Sequence, residues 1–143
     1  MHDLFWPALA EAEGLAEIKN VVVDILAHVR RGSGRLGYVA GIIGSDGEER
    51  IERNFKILEK HTFFVKEKHG IPVVSASEVF FQELLSRVLS RGVSRDDFEL
   101  FWRSILASGH VTDMFMTPRW EQSRGARDEH DTAKKLGIRI HYL

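Results

Sequence analysis

A glutamate in the last helix predicted for this chain is the residue best placed to do chemistry. Apolar spacing predicts a strand at Val111–Thr117, a turn at Pro118–Gln122, a helix at Ser123–Leu136 and a strand at Ile138–Tyr142. At 3.6 residues per turn, the helix face that carries Glu129 otherwise holds small or apolar residues: Gly125, Ala126, Ala133 and Leu136. A carboxylate on such a face is partly desolvated, and desolvation tunes a carboxylate for chemistry.

Two interpretations of Glu129 are open at this point. Because a strand precedes its helix, Glu129 is expected near the carboxyl edge of a parallel sheet, where open α/β folds bind ligands. The alternative is a structural glutamate that reaches solvent or pairs with Arg119, Arg124 or a partner subunit. The solvent side of the helix is explained without it by i,i+4 ion pairs: Arg124 with Asp128, Arg127 with Asp131, and Asp131 with Lys135.

A glycine-bracketed turn is the second candidate for ligand binding. Gly41, Gly44 and Gly47 follow the first predicted strand and would let backbone amides approach a phosphate at a helix N-terminus. Their spacing is G-x-x-G-x-x-G rather than the dinucleotide-binding G-x-G-x-x-G, and no P-loop lysine follows. The alternative is a tight strand-to-helix connection that needs glycine for its backbone dihedral angles.

The elements that position these residues alternate between helix and short strand, as in a layered α/β domain. Helices are predicted at Phe5–Arg30 with Gly14 as a possible break, at Glu48–His69, from Ser77 to about Ser90, and from Ser94 to about Ala107. Further strands are predicted at Leu36–Ile43 and Ile71–Ala76. Right-handed crossovers then predict a four-stranded parallel sheet in the order 2-1-3-4 with helices on both faces.

Composition limits the function classes. With 143 residues, 43% of them hydrophobic, the chain is large enough for one core and too short for two ordinary domains, so residues 1–143 are predicted to form one domain. The net charge of −1 with interspersed signs argues against a nucleic-acid polymer or an anionic membrane as the partner. Aromatic residues between Phe80 and Trp102 are predicted to form core and an oligomer interface.

Several chemistries and locations are excluded or disfavoured. The chain has no cysteine, which excludes disulfides and thiolate catalysis. Its seven histidines lack an H-x-x-x-H or H-E-x-x-H arrangement, so we expect no metal centre and no cofactor. No segment reaches the roughly twenty apolar residues of a membrane span, and Met1-His2-Asp3 does not begin a signal peptide. A cytoplasmic protein is therefore expected.

Three groups of residues carry a family resemblance. They are Gly37-Tyr38-Val39-Ala40-Gly41 on the first strand, Asp113 on the third, and the segment Pro118–Glu129, above all Ser123, Gly125 and Glu129 before the final strand. Residues 36–142 resemble the nucleoside 2-deoxyribosyltransferase-like superfamily, in particular its small members, and are also similar to 2′-deoxynucleoside 5′-phosphate N-hydrolases. The domain then consists of a core at 36–143 and an N-terminal helical extension at 1–35.

The resemblance implies a flavodoxin-like three-layer fold and cleavage or transfer of the N-glycosidic bond of a nucleoside or nucleoside 5′-monophosphate. Glu129 matches the catalytic glutamate that attacks the anomeric carbon, and Tyr38 matches the tyrosine that positions it. Gly41 and Ile42 match backbone that lines the sugar. Ser123 and Gly125 match the loop that holds a 5′-phosphate.

Some positions depart from the family pattern. Ile42 replaces the usual proline, and Ser104 or Ile105 stands near the place of the usual helix aspartate, while Asp96 and Asp97 lie further away. Without that acid, departure of the base lacks its usual proton donor. Asp113 is predicted either to orient the pocket or to make structural hydrogen bonds at the strand start. Trp120 is predicted either to stack on a base or to pack on the core or a partner subunit.

Two function classes follow from these residues. The first is a nucleoside or nucleotide N-glycosidase or deoxyribosyltransferase with Glu129 as nucleophile. The second is a catalytically inactive nucleotide-binding or interaction module of the same fold. In both cases the expected ligand is a small nucleoside or nucleotide, and a homodimer or larger homo-oligomer is expected.

Overall fold

The structure, a computed structural model, describes all of residues 1–143. A four-stranded, all-parallel sheet in the order β2-β1-β3-β4 forms its centre. The strands are β1 (Gly37–Ala40), β2 (Val73–Ser75), β3 (Asp113–Met116) and β4 (Arg139–Tyr142). The predicted α/β class, sheet order and flavodoxin-like architecture are confirmed, and each strand lies within its predicted range.

Seven helices flank the sheet. They are α1 (His2–Leu9), α2 (Leu15–Ser33), α3 (Ile51–His69), α4 (Ala76–Val79), α5 (Gln82–Ser90), α6 (Arg95–Ala107) and α7 (Arg124–Leu136). Short 3₁₀ turns precede α3 at Glu48–Arg50 and α7 at Trp120–Gln122. No helix has the length and apolar character needed to cross a membrane.

Helix boundaries follow local chemistry at most positions. Ser94 begins α6 with a capping box, in which its side chain accepts a hydrogen bond from the Asp97 amide and its amide donates to Asp97. Ser123 caps α7 by accepting a hydrogen bond from the amide of Ala126. Gly137 ends α7 in the left-handed conformation that glycine adopts without strain.

Two predicted helices are each divided in two. The helix predicted at Phe5–Arg30 breaks before Gly14, which has extended backbone angles and caps α2. The helix predicted from Ser77 breaks at Phe80 and Phe81, and its first residue follows Ser75 rather than Ser77. Non-helical backbone at Phe80 and Phe81 separates α4 from α5, and the side chain of Phe80 is buried in the core.

The N-terminal segment is part of the core rather than an appendage. Phe5, Leu9, Ile18, Val22 and Leu26 are fully buried in it. The aromatic residues of α4 to α6 also pack inward. Phe80 contacts Phe101 and Trp102 edge to face, and Trp102 packs on Tyr38 of β1 with ring centroids 5.2 Å apart. These three side chains therefore belong to the monomer core, which confirms the core part of the prediction for this aromatic group.

Candidate active site

A cavity of about 290 Å³ opens at the carboxyl edge of the sheet. Gly41, directly after β1, and Ala76, directly after β2, line it, as do Ser123 and Gly125 at the start of α7. This is the edge where parallel α/β sheets bind ligands, because loops leaving adjacent strands converge there. Most of the remaining wall is apolar and includes Ile51, Phe55, Phe80, Phe98 and Trp102.

Glu129 lines this cavity from the second turn of α7. The residue is only 6% exposed, and its Oε2 has no hydrogen-bond partner. Burial raises the pKa of Glu129 to about 8, a hydrogen bond from Tyr38 opposes the rise, and the negative charges of Asp128 and Glu99 add to it. A carboxyl group that is buried, unpaired and open to a cavity is a group available to a ligand.

Tyr38 lies beside the carboxyl group of Glu129. It stands in the middle of β1, is 1% exposed, and does not itself line the cavity. Burial raises the pKa of the Tyr38 phenol well above its usual value, and the negative charge of Glu129 raises it further. The phenol therefore remains a proton donor towards Glu129, yet Oε2 stays unsatisfied. Tyr38 is therefore a neutral phenol beside the Glu129 carboxyl group.

A second carboxylate, Glu99 of α6, faces the same cavity. Its side chain is 13% exposed and lies beside Arg124, whose Nε is 2.8 Å from Oε1 and whose Nη2 donates to Oε2 at 3.3 Å. Oε1 is buried, and although Arg124 lies at ion-pair distance the angle does not make a hydrogen bond. Arg124 also contacts Asp96 at the surface. Glu99 thus brings a second carboxylate to the cavity wall, held in place by Arg124.

The loop after β1 is held against α7 by polar contacts. Asn54 of α3 donates to the carbonyl of Ile43 and to Asp46, both at 2.8 Å. At the far side, the Ser45 hydroxyl lies 3.4 Å from that of Ser123. The Asn54 contacts hold the loop to α3, and the Ser45 contact places it beside the first turn of α7, where unpaired amides favour an anionic group.

The glycines of the cavity have different reasons to be glycine. A Cβ at Gly41 would lie 2.5 Å from Oγ1 of buried Thr117, so packing excludes a side chain there. A Cβ at Gly125 would meet only Ser123 Oγ at 4.0 Å. Among Gly41, Gly44 and Gly47, only Gly47 has a positive φ, at 123°. The turn interpretation therefore holds for Gly47, whereas Gly125 leaves space on the cavity side.

This contrast predicts different effects for two matched substitutions. Gly41→Ala should lower the free energy of unfolding by about 1 to 3 kcal/mol, because Thr117 must move. Gly125→Ala should leave stability unchanged or raise it by up to about 1 kcal/mol, because alanine favours helix over glycine. Gly125→Ala should nevertheless weaken ligand binding by about tenfold or more. Denaturant unfolding and calorimetry on both variants test this, and a destabilised Gly125→Ala protein would contradict it.

The structure brings four of the eight predicted site residues to the cavity wall. Gly41, Ser123, Gly125 and Glu129 line the cavity. Ile42 does not; the neighbouring Ile43 does. Trp120 also lies outside the cavity wall. It stacks on His130 with ring centroids 4.2 Å apart, and His130 Nε2 lies 2.8 Å from the Tyr142 hydroxyl. Of the two predicted roles of Trp120, packing within the protein is the one observed; stacking on a base is corrected, because Trp120 lies outside the cavity and His130 covers one face of its ring.

Asp113 lies at the opposite edge of the sheet. It begins β3, so its side chain is separated from the cavity by the length of the strand. Arg35 Nη2 lies 2.8 Å and His141 Nε2 2.9 Å from its Oδ2, and Thr112 donates to Oδ1 at 2.7 Å. Burial would raise the pKa of Asp113, but these hydrogen bonds hold it well below its usual value. Asp113 therefore has the structural role, and its predicted part in orienting the pocket is corrected.

The predicted ion pairs along α7 do not form. Arg124 instead contacts Asp96 and Glu99 of α6, and Asp128 pairs with Arg103 of α6 at 2.6 Å. These contacts cross between α6 and α7, since both helices pack on the same side of the sheet. The predicted buried face of α7 also needs one correction. Ala126, Glu129 and Ala133 are buried as expected, but Leu136, at the end of the helix, is 47% exposed.

Glu99 is the site residue that sequence reasoning missed. The Asp97 side chain accepts the hydrogen bond of the capping box, and Asp96 is exposed, so neither residue lines the cavity. The signal that could have identified Glu99 is the one that identified Glu129, a carboxylate on an apolar helix face. Glu99 stands three and seven residues before Trp102 and Leu106, which are both buried, and so shares their apolar helix face. No group of three or more histidine or acidic residues is arranged to hold a metal ion.

Comparison with known proteins gives one match. A family model described as a domain of unknown function, DUF4406, matches residues 37–142. That range includes all four strands and the cavity residues described above. No curated protein and no solved structure matches the chain.

Proposed function

This chain belongs to the DUF4406 family, and we propose that it cleaves or transfers the N-glycosidic bond of a nucleoside or nucleoside 5′-monophosphate with Glu129 as nucleophile. The observation that carries the proposal is the state of Glu129. Its carboxyl group is buried at the wall of a cavity, has one oxygen without a hydrogen-bond partner, lies beside the phenol of Tyr38, and is not paired with an arginine. A structural glutamate in the same place would need a cation or a full set of hydrogen bonds.

The chemistry uses the Glu129 carboxylate at the cavity wall. The ionised carboxylate attacks C1′ of the sugar as the C1′–N bond breaks, and the bonding electron pair leaves with the base. Water then hydrolyses the glycosyl ester, or an acceptor base takes the sugar. With a pKa of about 8, about a tenth of Glu129 is ionised at pH 7 in the free protein, so the attack step becomes faster as pH rises towards 8.

Glu99 supports this reaction electrostatically. The transition state for glycosidic cleavage carries positive charge on the sugar ring. A carboxylate held in place by Arg124, with Oε1 buried and free of hydrogen bonds, needs no reorganisation to stabilise that charge. The aromatic side chains of Phe80, Phe98 and Trp102 supply flat apolar surface for a base. The first turn of α7, with Ser123 and Gly125, is the place for a 5′ group.

The direct test is a substrate panel. Wild-type protein is incubated at pH 8 with deoxy- and ribonucleosides and their 5′-monophosphates, and free base is followed by chromatography. Release of base from at least one compound, and its loss in Glu129→Gln, is the expected result. Absence of release from every compound would overturn the proposal.

An inactive binding module is the second candidate, and one observation favours it. Burial keeps most of Glu129 protonated at neutral pH, and a protonated carboxyl is a hydrogen-bond donor rather than a nucleophile. This candidate predicts that wild-type protein and Glu129→Gln bind the same nucleotide with similar affinity and that neither releases base. Calorimetry beside the chromatographic assay separates the two functions.

We also propose a homodimer or larger homo-oligomer. The segments expected at the interface are Phe80–Trp102 and Phe5–Arg30. With Phe80, Phe101 and Trp102 buried in the monomer, their remaining large exposed apolar residues are Trp6, Leu89 and Leu100, which are 39%, 37% and 57% exposed. Light scattering at micromolar concentration should give at least twice the monomer mass of 16.3 kDa. Leu100→Glu should shift that mass towards the monomer, because it places a charge on the contact surface. A monomeric wild-type protein would contradict this prediction.

A further inference from the structure

The charged groups that face the cavity are mainly acidic. Glu48, Glu99 and Glu129 line it, against one basic residue, Arg95. Arg95 is exposed at the mouth, whereas Glu129 is buried and the Glu99 side chain is 13% exposed. Arg124, the nearest other guanidinium, is engaged by Asp96 and Glu99 and does not line the cavity. A ligand that enters the cavity therefore meets two carboxyl groups and no basic side chain at its inner end.

Other features of the cavity wall also favour a cationic ligand. The negative charges of Glu99 and Asp128 act at the Glu129 carboxyl and disfavour a second negative charge there. Phe55, Phe80, Phe98 and Trp102 present aromatic rings, and the faces of such rings attract cations. Carboxylates and aromatic faces together are the usual surroundings of a bound organic cation.

The cavity has no second neutral acid to protonate a departing base. Glu129 is assigned to the attack on the sugar. Glu99 is in contact with the Arg124 guanidinium, and a carboxylate in such a pair accepts hydrogen bonds rather than giving up a proton. A neutral base that leaves with the bonding electron pair becomes an anion unless it is protonated. A heterocycle that is already cationic becomes neutral when it leaves and needs no proton.

From these features we infer that the preferred substrates are N-glycosides with a cationic leaving group, such as a pyridinium or N7-alkylated purine riboside. This inference deepens the proposed function and rests on it. The carboxylate of Glu129 bonds to C1′, the C1′–N⁺ bond breaks, and its electron pair neutralises the ring nitrogen. Water then cleaves the glycosyl ester, which gives the free sugar and one proton and restores the carboxylate.

Binding tests the inference with a pair of ligands that differ in charge. Nicotinamide riboside is cationic, and its 1,4-dihydro form has nearly the same shape without the charge. In Glu129→Gln, which prevents turnover, the cationic form should bind at least about tenfold more tightly by calorimetry. Adding Glu99→Gln should reduce this preference to less than about threefold, while the matched control Glu67→Gln, exposed on α3, should leave it intact. Equal affinity for the two forms would overturn the inference.

Turnover separates failure of the inference from failure of the proposed function. Wild-type protein is given nicotinamide riboside and 7-methylguanosine beside the neutral guanosine and deoxyguanosine, and each rate is divided by the uncatalysed rate. Greater acceleration for the cationic compounds supports the inference. Greater acceleration for the neutral compounds overturns it and leaves the glycosidase function standing. No release from any compound, with selective binding of the cation, overturns the glycosidase function and keeps the inferred ligand class.

Discussion

Replacing Glu129 by glutamine is expected to remove nearly all release of base, by about a thousandfold or more, while the protein stays folded and binds its ligand. Glutamine has the shape of glutamate, but its amide cannot form the glycosyl ester. The cavity wall is unchanged, because Oε2 of Glu129 makes no hydrogen bond that the substitution would break. Single-turnover release of base, followed by chromatography beside calorimetric binding, measures the two effects separately.

Two further variants give this experiment its controls. Glu129→Asp keeps the charge but withdraws the carboxylate by one methylene, so we expect a large but incomplete loss of activity. Glu67→Gln removes an exposed carboxylate from α3 and should leave the rate unchanged. If Glu129→Gln retained a tenth or more of the wild-type rate, or lost activity only in proportion to its folded fraction, Glu129 would not be the nucleophile.

The largest expected effect on stability is the response of the same variant to pH. The pKa of Glu129 is about 8 in the folded protein, raised by burial from an ordinary value of 4.5. The stability that its neutral form provides is present in full below pH 4.5 and is lost as pH rises to about 8. At 1.36 kcal/mol per pH unit this loss reaches about 5 kcal/mol. Glutamine does not ionise, so Glu129→Gln should avoid it.

We therefore expect wild type and Glu129→Gln to unfold at similar denaturant concentrations at pH 5, and the variant to be the more stable by several kcal/mol at pH 8.5. Comparing the two proteins at each pH isolates Glu129 from other groups. Burial lowers the pKa of His61 and His69, which makes the free energy of unfolding rise with pH. Both proteins contain these histidines, so their contribution cancels in the comparison. Asp113, with its lowered pKa, titrates below this range. A difference that does not grow with pH would contradict the buried, unpaired state of Glu129.

The opposite pattern would identify a structural glutamate. Were Glu129 half of a buried pair with an arginine, Glu129→Gln would cost roughly 3 kcal/mol or more by leaving the cation unpaired. The contacts of Arg124 argue against that outcome, because its guanidinium is directed to Asp96 and Glu99. A melting temperature that falls by many degrees at pH 8.5 would nevertheless require the catalytic assignment to be abandoned.

Much of the fold was predictable because its signals are local. Four short apolar runs, separated by helical periods, predicted the strands and, through the handedness of crossovers, their order. Ser94 and Ser123 predicted the starts of α6 and α7, because an N-cap depends only on residues within one turn of it. The extent of the helix break was not predictable in the same way: Gly14 marks only the start of α2, whereas α1 already ends at Leu9.

The candidate site was predictable in part for the same reason. Glu129 was found from periodicity alone, because a helix face is defined by neighbours three and four residues away. Glu99 obeys the same rule and could have been found with it. What periodicity could not predict is that these two carboxylates, thirty residues apart, face one cavity, since that depends on the packing of α6 against α7.

The tertiary structure decided which ion pairs the side chains of α7 form and at which edge of the sheet Asp113 lies. The spacing of Arg124 and Asp128 allows a pair within α7, but α6 offers each of them a partner across the helix interface, and those contacts form instead. The sequence allows Asp113 a place in the pocket or at a strand start, and its contacts with Arg35 and His141 at the far edge of the sheet give it the second role. The sequence by itself thus determined which residues share a helix face or begin an element, because those relations extend over a few residues. The meeting of side chains from distant elements was determined only by the packed sheet and helices, because it depends on contacts between residues far apart in the chain.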